Sequence, residues 1–175
     1  MTIMELAKLE SDAAYKELLD SFDGVSEQLA WSVVTLQPGE YMHAEGSIIS
    51  TVAHIAGCKF IYGSAAYRGL DIRFRDIVER LEKIWPSWQG MKDYLQESQD
   101  YWRASWAGET DMERIVKSFR DRDWPSWKVI WTMSHHDSYH AGQIQLLRSS
   151  LAPSETPPQN EGDNWRSACK DLPSW

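Results

Sequence analysis

Apolar positions Met4, Ala7, Ala14, Leu18 and Phe22, joined by Ser11, recur at helical spacing through an otherwise charged background, which predicts an amphipathic first helix of about 20 residues. Asp23-Gly24 closes it. The stretch from Trp31 to Met42, which contains Gln37-Pro38-Gly39, reads as a connection. A second long helix starts near Gly46-Ser47, with Ser47 as N-cap, and runs through Ile48, Ile49, Val52, Ile55, Ala56 and Phe60 to about Ala66. It is apolar around most of its circumference, so it belongs inside the protein.

Phe74, Ile77, Val78, Leu81 and Ile84 mark a shorter amphipathic helix between Asp71 and Ile84. The tetrapeptide Trp-Pro-Ser-Trp occurs at Trp85 to Trp88 and again at Trp124 to Trp127, each time before an apolar periodic run. Both copies read as helix entrances, with Ser87 and Ser126 as N-caps. A third long helix carries Trp88, Met91, Leu95, Ser98, Trp102 and Ser105, and a fourth runs from about Trp127 to Leu151. No strand-like alternation of useful length is present. Four long helices and one short one predict an all-α protein, a four-helix bundle over residues 1–151. From Ala152 onward Pro, Ser, Thr, Asn and Gly dominate, so 152–175 reads as an irregular tail. Trp165, Leu172 and Trp175 give that tail the means to pack on the bundle.

Composition narrows the function. The 175 residues are 42% apolar and 25% charged, the balance of one soluble domain with a sizeable core. Lys plus Arg is 18 and Asp plus Glu is 26, giving a net charge of -8, the wrong sign for a surface that must neutralise phosphates. Nucleic acid is not an expected partner. Mean hydropathy is -0.51, and no apolar run approaches the roughly 20 residues of a membrane span. Met1 to Glu10 lacks the basic, apolar and small-residue order of a secretory signal. Two cysteines, Cys58 and Cys169, make no disulfide framework and no Cys-x-x-Cys pair, so a reducing cytoplasm is the expected location. The ten tryptophans are the one unusual count, and they suit a core and a dimer seam.

Three of the five histidines fall in Ser134-His135-His136-Asp137-Ser138-Tyr139-His140. At about 100° per residue, Val129, Met133, His140, Ile144 and Leu147 lie within roughly 80° of His136 on one stripe. His136 and His140 therefore interrupt the apolar face of the fourth helix, while His135 falls on a flank. Imidazoles at i and i+4 can converge on one cation, although neutral, hydrogen-bonded core histidines share the spacing. His54 sits mid-helix in Thr51-Val52-Ala53-His54-Ile55-Ala56-Gly57 and adds a third imidazole on a core face. A divalent ion would accept the lone pairs of all three. His43 belongs to the surface or rim.

His54 in an apolar helix, followed much later by His136-Asp137-Ser138-Tyr139-His140-Ala141-Gly142-Gln143-Ile144, resembles the DinB-like superfamily of damage-inducible, YfiT-like and related proteins, whose late helix carries a similar His-x-x-x-His-x-Gly-Gln-Ile pattern. The match spans roughly Met1 to Leu151. The resemblance implies an up-down-down-up bundle with a long crossover, for which Tyr67 to Ile84 has the length, and a homodimer. It also implies a divalent ion, nickel or zinc, held by His54, His136 and His140, with Gln143 as the motif glutamine. Some relatives carry another histidine one turn before the pair, where this chain has Thr132.

Gln143 lies about 20° from His136 and has the reach to fix a ligand ring or a water, or to bond a neighbouring helix. Tyr139, at about 60°, borders the pocket, and Asp137, about 100° off the stripe, points to a helix flank or a dimer partner. Cys58, one turn after His54, reads as a small buried residue or a further soft ligand. Gly142 would let another helix approach closely.

Three neutral nitrogens leave a cation charged and open, as in catalytic sites. Metal-dependent transfer of a low-molecular-weight thiol to a small electrophile is the first expectation, in line with characterised relatives. Hydrolysis by a metal-activated water is the second, and a non-catalytic bundle riveted by an ion the third. His-Glu-x-x-His, phosphate-loop and Gly-x-Ser-x-Gly patterns are absent.

Overall fold

The computed structural model describes residues 1–34, 46–85, 87–118 and 122–151. Gln37-Pro38-Gly39, His43, Cys169 and the tail with Trp165, Leu172 and Trp175 lie outside the described residues. The order of elements is α1 (Ile3–Ser21), α2 (Glu27–Trp31), α3 (Ile48–Tyr67), α4 (Phe74–Ile84), α5 (Trp88–Trp106), β1 (Ile115–Lys117), β2 (Asp123–Pro125) and α6 (Ser126–Ser150). The protein is mostly helical, as the periodicity predicts.

Local chemistry sets the helix starts. Thr2 and Glu5 form a capping box on α1, the Thr2 hydroxyl accepting from the Glu5 N–H at 3.1 Å and the Glu5 carboxylate from the Thr2 N–H at 2.7 Å. Ser47 caps α3 as expected, accepting from the Ser50 N–H at 3.3 Å. Gly24 takes a φ of 71° in the turn that follows α1, which suits a residue without a Cβ.

α1 packs along α6 and α3 along α5, and α3 also meets α6. Side chains close the remaining side, Tyr15 of α1 donating to Gln96 of α5 at 3.1 Å. Gly63 is required where α3 meets α5, because a Cβ there would lie 2.8 Å from the Ser105 hydroxyl and 2.9 Å from the Tyr101 ring. α3 is central, with residues buried on every side of it, including Ile48, Ile49, Val52, Ile55 and Ile61. Burying such side chains contributes about 1.5–3 kcal/mol each. Trp88, Trp102 and Trp106 join the core, whereas Trp127 and Trp131 stay exposed on α6.

The structure corrects four expectations. α2 is a helix that the periodicity did not predict, set by the Ser26 hydroxyl accepting from the Leu29 N–H at 3.2 Å. β1 and β2 form a short antiparallel pair, Val116 opposite Trp124, where no strand was expected. Three residues per strand leave too little alternation to read from sequence. Ser126 does not cap α6. Pro125, paired in β2, takes the cap position without a side-chain bond, and the Ser126 hydroxyl turns inward to the Tyr67 hydroxyl at 3.0 Å. Finally, no helix among the described residues closes on Gly142, since none of their atoms lies within 4 Å of where its Cβ would be.

Candidate metal centre

α3 and α6 carry the histidines toward each other. His54 lies midway along α3, and His136 and His140 lie one turn apart on the face of α6 that also buries Met133, Ile144 and Leu147. The Nε2 atoms of His54 and His136 are 3.2 Å apart and those of His136 and His140 are 3.1 Å apart. All three residues offer ligand atoms within 4.8 Å of one another. His54 and His140 are buried and His136 half-buried.

That spacing can be compared with what a cation needs. Two nitrogens held at about 2.0–2.1 Å, at angles between about 90° and the tetrahedral value, lie roughly 2.8–3.4 Å apart. Both separations fall inside that range, so the donor set fits a divalent ion of the nickel or zinc kind in type and in spacing. Three imidazoles from two helices also share one burial problem, because each ring nitrogen removed from water needs a partner.

The supporting groups follow α6 outward. Gln143 places its Oε1 2.6 Å from His140 Nδ1, and its amide donates to the Tyr139 hydroxyl at 3.0 Å. In that arrangement His140 Nδ1 is the donor, so its Nε2 carries the lone pair that faces the cluster. Tyr139 packs its ring 5.1 Å from that of His140 and is 53% exposed, which places it between the cluster and solvent. His135 stays on the flank, stacked on the exposed Trp131 at 5.1 Å with 14° between the rings.

Cys58 lies with its Sγ 3.7 Å from His54 Nε2, yet it is not a member of the mutually close group. Cys58 is buried and forms no disulfide among the described residues, so the reading of it as a small buried residue is the one this geometry favours.

Asp137 lies on a flank of α6 that is buried within the protein, with its Oδ2 2.5 Å from the Nζ of Lys59 on α3. Both side chains are almost fully enclosed, at 1% and 2% exposure. Burial pushes the Lys59 ammonium below its ordinary range and the Asp137 carboxyl above its own, while each partner's charge works back against the shift. The Lys59 ammonium also lies 5.3 Å from the centre of the Tyr15 ring.

Comparison with known proteins adds no relative. No family model, curated protein or solved structure matches the chain. Among the described residues, no helix is long and apolar enough to cross a membrane.

Proposed function

We propose that the protein is a metal-dependent enzyme of DinB-like architecture that transfers a low-molecular-weight thiol to a small electrophile. The observation that carries this reading is the convergence of the Nε2 atoms of His54, His136 and His140. The pairing of α1 with α6, α3 with α5 and α3 with α6 is compatible with a four-helix bundle. A homodimer belongs to the same reading.

His54, His136 and His140 would hold a nickel or zinc ion, which supplies a Lewis-acid position where a thiol ionises near neutral pH. Three protein nitrogens leave room for a further ligand. Gln143 orients the His140 ring, and Tyr139 stands beside it on the solvent side. The half-buried His136 leaves that side of the cluster accessible.

Cobalt(II)-loaded protein titrated with a panel of cellular thiols tests this directly. A sulfur-to-cobalt charge-transfer band with one of them is expected. If cobalt binds and no thiol produces the band, thiol transfer is wrong, and activity on small ester and amide substrates becomes the next assay.

A further inference from the structure

We propose that the buried Lys59–Asp137 pair is a positioning element that fixes the rotation of α6 against α3, and through it the convergence of the three histidines. The inference rests on the metal reading and extends it to residues outside the ligand set.

Lys59 shares α3 with His54, and Asp137 is the chain neighbour of His136 on α6. The pair and the histidine cluster thus join the same two helices at neighbouring levels. Lys59 also faces the Tyr15 ring of α1, and Tyr15 in turn donates to Gln96 of α5. One polar line touches all four long helices.

Apolar contacts between helices are non-directional and tolerate small rotations. A charge-assisted hydrogen bond of 2.5 Å does not. The tolerance matters here, because a ring nitrogen roughly 8 Å from the axis of its helix moves about 1.4 Å when the helix turns by about 10°, whereas metal ligation tolerates about 0.2 Å.

The pair is poorly arranged for stability alone. Asp137 Oδ1 is buried with no hydrogen-bond partner among the described residues, so Oδ2 and Lys59 make the only such link of the carboxylate. Buried pairs with unsatisfied atoms are often matched or exceeded in stability by apolar replacements, and fixing one packing register is their best-attested use.

The test replaces both charges together, Lys59→Met with Asp137→Leu, and titrates the variant and the wild type with cobalt(II) while recording visible absorption. The variant is expected to unfold at a temperature equal to or above that of the wild type, yet to bind cobalt at least about tenfold more weakly and with an altered band pattern. Asp137→Glu, which retains a carboxylate, should stay closer to wild type in both readouts. Imidazole nitrogen NMR of the metal-free proteins gives a reading that needs no metal: the three rings should keep separate, well-defined signals in the wild type and average in the double variant. Unchanged affinity, band pattern and ring signals in the double variant overturn the proposal. If it fails to fold, wild-type behaviour of Asp137→Ala in the same measurements overturns it instead. Wild-type protein that takes up no cobalt sinks the metal reading, and the positioning claim is then decided by the ring signals.

Discussion

α3 and α6 are joined by two buried polar features of opposite character. Lys59 and Asp137 are a pair of opposite charges, donor against acceptor at 2.5 Å. His54, His136 and His140 bring three nitrogens of one kind to a common region. Burial alone therefore does not mark a functional site. Opposite charges meet each other within the protein, whereas three imidazoles whose nitrogens converge have the donor chemistry and the spacing that suit a cation.

The contrast can be broken most forcefully at Asp137. Asp137→Ala leaves a buried ammonium without its counter-charge and should cost about 3–5 kcal/mol, measured by urea unfolding. His136→Ala removes no charge partner and should cost much less in metal-free protein. Equal losses from the two substitutions would erase the distinction. The next effect has the opposite sign. A divalent ion at about 100 times its dissociation constant should raise wild-type stability by about 2.7 kcal/mol and leave His54→Ala unmoved, as followed by thermal unfolding. No comparable response is expected at the charged pair, which already has its partner.

Smaller effects sharpen the picture at the rim. Gln143→Leu removes the group that orients His140 and should weaken metal binding by about 10–100-fold with the fold intact, read by titration calorimetry. Tyr139→Phe deletes an exposed hydroxyl and should change stability by no more than about 0.5 kcal/mol. An effect at Tyr139 as large as at Gln143 would mean that the hydroxyl acts on the site directly.

The two features also differed in how legible they were from sequence. Helical spacing identifies His136 and His140 as core-facing, and the apolar setting of His54 completes the set, because imidazoles on an apolar stripe stand out against their neighbours. The charged pair was missed, although its signal exists. Lys59 is the only charged residue of α3, and Asp137 is the only acidic residue of α6. A lone charge in a fully buried helix demands an opposite one, and weighing the two helices together would have joined them. Angle alone placed Asp137 off the histidine stripe but could not tell a buried flank from an exposed one.

The repeated tetrapeptide shows where local pattern ends. Ser87 caps α5, accepting from the Gly90 N–H at 3.0 Å, while Ser126 in the same four-residue context is drawn inward to Tyr67. The difference lies in the chain before each copy: the second enters its helix from a strand, and pairing of Pro125 with Ile115 fixes the approach. Such tertiary constraints leave no mark in a four-residue window.

The central claim is that His54, His136 and His140 bind one divalent ion, and metal analysis tests it most directly. Protein purified without a polyhistidine tag, exposed to nickel or zinc and then desalted, should retain about one equivalent per chain, and His136→Ala almost none. Wild-type protein that emerges metal-free, or a variant that retains as much as the wild type, would contradict the account.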